Sequence, residues 1–284
     1  MFDTQIISHA FIGIILLFIF LLVLSSLLNT GTPINQTTKT CLITGASSGI
    51  GYEITREMIK RGWKVIGISH DEEKIKKVTQ ELGTSFIPYV CDVRMPEQIF
   101  AVSDAMRKQG LQPTLFFLNA GIGIFEEKFH PLLENHQQMV ATNYFGTITW
   151  IDAWLETLKK CGGGTFVATS SVNSLFAGPG VAGYGASKAA LNACFRTLRI
   201  QYLNDHIGFV LVLPGPVATN LMRDDKPLPF THQASDEAHY IVKQVFKGKK
   251  QIEPSWIYSL VLRIAHWLPD TLVAKLTPQR YFRK

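Results

Sequence analysis

The chain alternates between two hydrophobic patterns from residue 39 onward. Short runs rich in Val, Ile, Phe and Thr predict β-strands at residues 40–44, 64–69, 86–90, 114–118, 165–170 and 209–213. Intervening stretches with helical spacing predict helices that begin near Gly49, Glu72, Pro96, Glu134 and Tyr184. Several strands are apolar throughout, which is typical of strands covered on both faces. This order predicts an α/β fold, a doubly wound parallel sheet in a single domain.

A different pattern precedes the domain, because residues 6–28 are apolar on every side and contain no charged residue. Such a run is long enough to cross the roughly 30 Å hydrocarbon layer of a bilayer. A cleaved signal peptide fits less well, since no Lys or Arg precedes the run and no small-residue cleavage site follows. A buried core helix is rarely apolar on all faces. We expect a single-pass transmembrane anchor at residues 1–30, a linker at 31–38, the α/β domain at 39–253 and a tail at 254–284.

The orientation of this anchor follows from the charges beside it. The first basic residue is Lys39, after the span, so the positive-inside tendency favours a catalytic domain on the cytoplasmic side. Asn35-Gln36-Thr37 is a formal glycosylation acceptor that indicates the opposite side. We give it less weight because such short motifs arise by chance and this one lies close to the membrane.

A glycine-rich segment, Thr44-Gly45-Ala46-Ser47-Ser48-Gly49-Ile50-Gly51, joins the first strand to the first helix. Glycines allow the chain to turn sharply and to approach a pyrophosphate, and the helix N-terminus offers N–H groups to the phosphates. A tight turn without a ligand is the alternative. The position at the first strand-to-helix junction favours a dinucleotide site and a Rossmann-type fold.

The TGxxxGxG spacing resembles the short-chain dehydrogenase/reductase family, and the resemblance covers residues 39–253. It implies that Asp92 and Val93 contact adenine, that Asn119-Ala120-Gly121 forms the cofactor-side loop after the fourth strand, and that Thr219 binds the nicotinamide carboxamide. Leu118 departs from the family, in which many members have a second Asn. The full set of cofactor-binding residues that the resemblance implies is Gly45, Ser47, Ser48, Gly49, Ile50, Gly51, Ser69, His70, Asp92, Val93, Asn119, Ala120, Gly121, Tyr184, Lys188, Pro214, Gly215, Val217 and Thr219.

The end of the second strand decides between the two nicotinamide cofactors. An acidic residue there would bind the ribose 2′-OH of NAD and repel a 2′-phosphate. By resemblance Ser69 takes the place of that acid and His70 the place of a basic residue, and both can accept a phosphate. We therefore expect NADP(H), while Asp71, one residue further on, leaves NAD(H) open.

Tyr184 and Lys188 lie four residues apart on a predicted helix and hence on one face. Carbonyl reduction needs a proton donor, and a neighbouring ammonium group stabilises a phenolate and lowers its pKa. Ser171 stands at the end of the fifth strand, where ligands bind in open α/β sheets, although Ser170 is adjacent. The resemblance makes Tyr184 the general acid/base, Lys188 its partner and a ribose ligand, and Ser171 the substrate-oxygen ligand. It assigns to Asn143 the ordering of a proton-relay water.

Two segments suggest the kind of substrate and partner. The resemblance implies a mobile lid at residues 220–234, whose apolar members (Leu221, Met222, Leu228 and Phe230) suit a hydrophobic small molecule; an ordinary surface loop is equally consistent. In the tail, Trp256, Leu260, Ile264 and Trp267 recur at helical spacing, which fits an amphipathic helix on a lipid bilayer. Packing on the domain, or in a homodimer, is the alternative.

Composition excludes other classes of function. The formal charge is +6, but no Lys/Arg-rich run accompanies it, so we expect no nucleic acid partner. The cysteines, Cys41, Cys91, Cys161 and Cys194, have neither metal-ligand nor disulfide spacing, so we expect no metal. The sequence thus predicts an oxidoreductase that interconverts a ketone and a secondary alcohol on a lipid-like substrate (a long-chain 3-keto lipid, a sterol or a retinoid). A non-catalytic nucleotide sensor or scaffold on the same fold is the main alternative, and a nucleotide-sugar epimerase is disfavoured by the glycine spacing.

Overall fold

The computed structural model describes residues 31–124, 132–176, 178–219 and 231–277, together with Gly13, Leu16, Leu17, Phe20 and Leu24. The strands are β1 (Thr40–Thr44), β2 (Lys64–Ser69), β3 (Phe86–Val90), β4 (Leu115–Leu118), β5 (Gly164–Thr169), β6 (Ile207–Val212), β7 (Val217–Ala218), β8 (His232–Gln233) and β9 (Gln251–Ile252). The helices are α1 (Gly49–Lys60), α2 (Glu72–Leu82), α3 (Pro96–Lys108), α4 (Leu132–Val140), α5 (Gly146–Lys160), α6 (Ala182–Gln201), α7 (Ala234–Phe246), α8 (Trp256–Ala265) and α9 (Asp270–Leu276).

Seven strands form one parallel sheet in the order β3-β2-β1-β4-β5-β6-β9. β7 and β8 form a separate two-stranded ribbon. The chain order reverses between β1 and β4, and ligands bind at such a point beyond the carboxyl ends of the strands. The prediction of a Rossmann-type α/β fold is confirmed.

The sheet separates two hydrophobic cores, because successive side chains of a strand point to opposite faces. In β1, Leu42 packs into the core that contains Trp150 and Phe195, whereas Ile43 packs into the core that contains Met58. All five residues of β1 are buried. Burial on both faces explains why these strands are apolar throughout rather than alternating.

The predicted boundaries agree closely with the structure. β1, β2, β3 and the starts of α1, α2 and α3 lie where the sequence placed them. β4 begins one residue later, at Leu115, while β5 and β6 begin earlier, at Gly164 and Ile207. α4 and α6 are described from two residues before the predicted starts, at Leu132 and Ala182.

Residues 31–38, predicted as a linker, lie along the edge of the sheet where the strands begin. Gly31 N donates a hydrogen bond to Gly248 O, just before β9. Asn35 Nδ2 donates to Gly163 O at 3.4 Å, and Asn35 O accepts from Thr114 Oγ1 at 2.9 Å. This segment therefore packs on the domain.

The anchor predicted at residues 1–30 lies outside the described residues except for the five positions named above, which are helical and exposed to solvent. None of the helices within the described ranges is long and apolar enough to cross a bilayer. Those ranges also contain no cluster of His, Cys, Asp and Glu side chains that could hold a metal ion.

Candidate active site

A glycine-rich turn joins β1 to α1 at the carboxyl edge of the sheet. Gly45 and Gly49 adopt φ angles of 69° and 55°, which side chains other than glycine rarely allow. A Cβ atom on Gly51 would lie 2.2 Å from Gly45 O, so this position has no room for any side chain. The glycine spacing in the sequence is thus a requirement of the backbone path.

The start of α1 is available to an anion. Ser48, the residue before the helix, has an extended backbone, and its side chain makes no capping hydrogen bond. The first N–H groups of α1 therefore have no side-chain acceptor from Ser48, and the helix dipole favours a negative charge there. A glycine-rich turn that leads into such a helix end fits the pyrophosphate of a dinucleotide. Ile50, in the first turn, packs partly against the core.

Asn119 ties three strands together beside this turn. The hydroxyl of Thr44 accepts hydrogen bonds from the backbone N–H groups of Asn119 and Ala120 at 2.9 and 3.0 Å. The hydroxyl of Thr169 donates to Asn119 Oδ1 at 3.1 Å. The ends of β1, β4 and β5 are therefore fixed relative to one another. A Cβ atom on Gly121 would lie 3.2 Å from Lys188 Nζ, so this loop borders the catalytic residues.

The end of β2 places the two candidate 2′-phosphate ligands differently. Ser69 is buried, and its hydroxyl shares a 2.8 Å hydrogen bond with Ser47 and accepts one from Asp71 N. His70, in contrast, is exposed. The Asp71 carboxylate accepts a hydrogen bond from Lys74 N and caps α2, so it is directed toward the helix.

An arginine that the sequence reasoning missed lies at the end of β3. Arg94 Nε donates to both carboxylate oxygens of Asp92 at 3.0 and 2.9 Å. The hydrogen bonds from the Arg94 side chain and backbone hold the pKa of Asp92 below its usual range. The charges of Arg94 and His70 act in the same direction. The predicted adenine ligand Asp92 is thus paired with a cation close to His70. Val93 is buried against Gly146.

The segment after β6 closes the nicotinamide side of the site. Pro214 O accepts a hydrogen bond from Val172 N, which joins the segment to the turn that follows Ser171. Val217 is buried, and Thr219 lies against the glycine turn, since a Cβ atom on Gly49 would meet its methyl group at 3.3 Å. The predicted lid at 220–230 lies outside the described residues; His232 and Gln233, from its C-terminal part, form β8.

Tyr184, Lys188 and Ser171 converge at the carboxyl ends of β4 and β5. The side chain of Ser171 interacts with the Tyr184 phenol and favours its phenolate form. Lys188 Nζ lies 5.8 Å from the centre of the Tyr184 ring and donates to Thr169 O at 2.7 Å. Ser170, in contrast, is turned away, because its hydroxyl donates to Asn192 Oδ1 at 2.7 Å. The structure therefore brings Ser171, and not Ser170, to Tyr184.

Burial sets the protonation of both titratable groups. It raises the pKa of the Tyr184 phenol, and the Ser171 hydrogen bond offsets only part of that rise. It also lowers the pKa of the Lys188 ammonium to about 8. The YxxxK spacing predicts that Lys188 lowers the pKa of Tyr184, but in this structure burial is the larger effect. Tyr184 therefore keeps its proton at neutral pH, as a proton donor must.

Asn143 is fully buried in a single π-helical turn, Ala141–Phe145, between α4 and α5. Its Nδ2 donates to Ile122 O and Ser187 Oγ, both at 2.9 Å, and its Oδ1 accepts from Ile122 N at 2.8 Å. The side chain thus fixes the loop after Asn119-Ala120-Gly121 and connects it to α6. The ordering of a relay water by Asn143 stays a prediction.

Two further polar residues of α6 were not found from the sequence. Ser187, fully buried, accepts the hydrogen bond from Asn143. Asn192 accepts from Ser170 and donates to Ser174 Oγ at 2.6 Å, and thereby holds the turn that carries Ser171. Asn192 follows Lys188 by four residues on the same helix face, a spacing that could have identified it.

The fold and this site define a dinucleotide-binding oxidoreductase. The family model for short chain dehydrogenases matches residues 39–227, and the chain belongs to this family. It is accordingly an enzyme that acts on CH–OH and C=O groups with a nicotinamide cofactor.

Similar proteins agree with this assignment. The chain is 30% identical to NADPH-dependent 1-acyldihydroxyacetone phosphate reductase of Saccharomyces cerevisiae over 200 residues, which is 69% of this chain and 67% of the yeast protein. It is 27% identical over 259 residues to 11-beta-hydroxysteroid dehydrogenase-like 4A of Arabidopsis thaliana, with 84% and 83% of the two chains covered. An alcohol dehydrogenase from Thermococcus sibiricus, complexed with 5-hydroxy-NADP, superposes with a TM-score of 0.67 at 25% identity over 75% of this chain and 94% of its own.

Proposed function

We propose that this protein is a membrane-anchored, NADP(H)-dependent enzyme that interconverts a ketone and a secondary alcohol on a lipid-like substrate. One observation carries the chemistry: the Ser171 side chain acts on the Tyr184 phenol beside Lys188, at the sheet edge that also holds the glycine turn. Both hydroxyl groups can bind one substrate oxygen. The same pair would serve reduction or oxidation.

The residues act on that oxygen in a fixed order during reduction. The nicotinamide, when bound, supplies the hydride to the carbonyl carbon. Ser171 donates a hydrogen bond to the carbonyl oxygen, and Tyr184 transfers its proton to that oxygen as negative charge develops. The ammonium group of Lys188 stabilises the phenolate that Tyr184 leaves behind. Lys188 and Thr219 would hold the ribose and the carboxamide of the cofactor, and Asn143 keeps the adjoining loop in place.

The end of β2 supports NADP(H) as the preferred cofactor. The Asp71 carboxylate caps α2 and pairs with Lys74 Nζ at 2.8 Å, so it is engaged away from a ribose 2′-OH. His70 and Arg94 are exposed at this edge, Arg94 as the partner of Asp92. An imidazole and a guanidinium group both suit a 2′-phosphate. The yeast relative is named as NADPH-dependent, and the Thermococcus enzyme was solved with an NADP derivative. NAD(H) remains the alternative.

The lipid-like substrate and the membrane anchor rest on separate features. The yeast relative is named for an acylated dihydroxyacetone phosphate and the Arabidopsis relative for a hydroxysteroid. The uncharged apolar run at residues 6–28 has the length of a bilayer span. We therefore favour a long-chain 3-keto lipid, a sterol or a retinoid, presented to a catalytic domain on the cytoplasmic side of a membrane.

Turnover by the full chain in phospholipid vesicles tests this proposal. Vesicles that contain long-chain ketones or sterol ketones should support oxidation of NADPH, and lipid extracts of cells that lack the protein should accumulate the same ketone class. Tyr184→Phe is the control, since it removes the transferable proton and keeps the ring. A non-catalytic sensor would bind NADPH but show no difference between wild type and this variant.

A further inference from the structure

Helix α8 exposes most of its apolar residues to solvent and buries a serine, the reverse of a typical helix of a water-soluble domain. Ser255 and Ser259 are buried against the domain, and Ser259 is the only buried residue within α8. An amphipathic helix normally buries its apolar stripe instead. The outward surface, called here the α8–α9 face, consists of Trp256, Ile257, Leu260, Val261, Ile264, Trp267, Leu272 and Leu276.

The α8–α9 face is large and strongly exposed. Trp256 is 64% and Trp267 84% exposed. Single exposed apolar residues are common on proteins, but a contiguous patch of this kind marks a site of contact with a protein or a membrane. Tryptophan is in addition the side chain that prefers the interface between lipid and water.

Polar contacts hold α8 in position. Arg263 forms a two-pronged ion pair with Glu253, with N–O distances of 2.8 and 2.7 Å. Ser255 packs directly on Gly215, where a Cβ atom would lie 2.4 Å from the serine hydroxyl. The charge of Arg263 is thus paired with Glu253 and is not available to lipid headgroups. The outward surface of α8 is consequently apolar rather than cationic.

Two contacts relate this face to the rest of the chain. α8 packs beside the turn Val172–Ser174, which directly follows Ser171, so this helix lies next to the catalytic site. Gly31, three residues after the N-terminal apolar run ends at Leu28, is hydrogen-bonded to Gly248, three residues before β9. α8 begins four residues after β9 ends. Gly31 and α8 therefore lie at the two ends of the same edge strand of the sheet.

We propose that the α8–α9 face lies in the headgroup and upper acyl region of the same bilayer that residues 6–28 cross, and so places the entrance of the active site at the lipid surface. This rests on the proposed membrane anchor. The anchor brings the β9 edge to the membrane, and the apolar face then replaces contact with water by contact with lipid. A hydrophobic ketone would reach Ser171 and Tyr184 from the bilayer without crossing water.

The tryptophans of the full chain provide the test. Three of the five, Trp63, Trp150 and Trp154, are buried in the protein core, the other two belong to the α8–α9 face, and residues 1–30 contain none. The protein is reconstituted into phosphatidylcholine vesicles with or without bromine on the acyl chains, and floated vesicles are collected. Bromine quenches only fluorophores in the lipid, so we expect emission to fall by roughly two fifths, the share of the two face residues.

The double variant Trp256→Phe/Trp267→Phe is the matched control, because it keeps the face apolar and should abolish the bromine effect. Protein that floats but shows no quenching would overturn the proposal while leaving the anchor intact, as expected if a second copy of the chain covers the face. Protein that does not float would overturn both.

A second variant tests access of the substrate. Ile257→Asp/Ile264→Asp places charges at two exposed positions and should leave the fold unchanged. We expect a several-fold higher KM for a long-chain ketone dissolved in vesicles and an unchanged KM for a short, water-soluble ketone. A KM for the long-chain ketone that is the same in the variant as in the wild type would contradict the proposal.

Discussion

Burial acts on the two titratable side chains of the site in opposite directions. It keeps the Tyr184 phenol protonated and brings the pKa of Lys188 down to about 8. The difference from the usual lysine pKa of 10.5 corresponds to about 3 kcal/mol of unfavourable burial of the charged form. Lys188 is retained in the core at this cost because the ammonium group serves the reaction.

Replacing Lys188 by Met should separate stability from activity. Below pH 8 the lysine is charged in both the folded and the unfolded chain, so the folded state bears the full cost. As pH rises from about 8 to above 10, the folded lysine loses its proton first and the cost disappears. We expect the wild type to gain up to ~3 kcal/mol relative to Lys188→Met over this range, and turnover by the variant to be lost at every pH.

Denaturant unfolding in detergent at several pH values measures this difference. Lys243→Met, on the exposed side of α7, is the control and should track the wild type. A constant difference between Lys188→Met and the wild type from pH 7 to above 10 would show that burial does not lower the pKa of Lys188 in the folded protein.

Asn192 should affect catalysis without touching the substrate. It connects Ser170 to Ser174 and so fixes the turn that carries Ser171. Asn192→Leu removes both hydrogen bonds, and we expect kcat to fall about tenfold because small displacements of reacting groups are costly. Kd for NADPH should be unchanged. Asn192→Asp, which keeps the acceptor for Ser170, should lose less activity; equal losses, or an equal change in Kd, would point to a general defect of folding.

At the scale of residues the sequence predicted those that lie in motifs. Tyr184, Lys188 and the glycines are set by chemistry and backbone geometry, and the structure brings them together as expected. Ser187 and Asn192 belong to no motif, since their importance depends on partners from other elements. The choice between Ser170 and Ser171 needed the direction of each side chain, which spacing does not give.

Among the elements, strands buried on both faces were the easiest to locate. β1, β2 and β3 are bounded by turn residues, whereas β5 and β6 begin with or near Gly164 and Gly208, which have low strand propensity. Their starts were therefore placed too late. For α8 the spacing predicted a helix but not its orientation, because the side of an amphipathic helix that meets the protein depends on its surroundings.

The junctions at the ends of β2 and β3 should determine cofactor choice. We expect NADPH to bind more tightly than NADH, and the gap to shrink with added salt because charges are screened. Arg94→Gln and His70→Gln should each weaken NADPH binding several-fold and leave NADH binding nearly unchanged. Lys74→Gln removes a cation of α2 that pairs with Asp71, and it should change the binding of neither NADPH nor NADH. Fluorescence titration of the wild type and the three variants with each cofactor measures the dissociation constants, and a lower Kd for NADH than for NADPH in the wild type would refute the preference.

The chain combines an enzyme domain with two apolar features, the N-terminal sequence at residues 6–28 and the exposed α8–α9 face. Residues 31–38 join the N-terminal run to the domain through contacts near the starts of β4, β5 and β9. α8 and α9 lie beyond the other end of β9. The sequence predicted both apolar segments, but the contact of Gly31 near the start of β9 and the exposure of the α8–α9 face required the structure.

Removal of residues 1–30 should leave a folded, cofactor-binding enzyme. The deletion retains Gly31 with its hydrogen bond to Gly248, the contacts of Asn35, and the whole glycine turn. We expect an unchanged Kd for NADPH and cooperative thermal unfolding at a temperature close to that of the full chain. Loss of cofactor binding by the shortened chain would mean that the N-terminal run is part of the fold.

Transfer of deuterium tests the central claim most directly. NADPH labelled with deuterium at the reactive carbon of the nicotinamide is incubated with the full chain and a long-chain ketone in vesicles, and the alcohol is analysed by mass spectrometry. We expect deuterium on the carbinol carbon with the wild type, none with Tyr184→Phe, and an unchanged Kd of that variant for NADPH. Equal amounts of labelled alcohol from the wild type and Tyr184→Phe would contradict the account. So would the absence of labelled alcohol with both proteins.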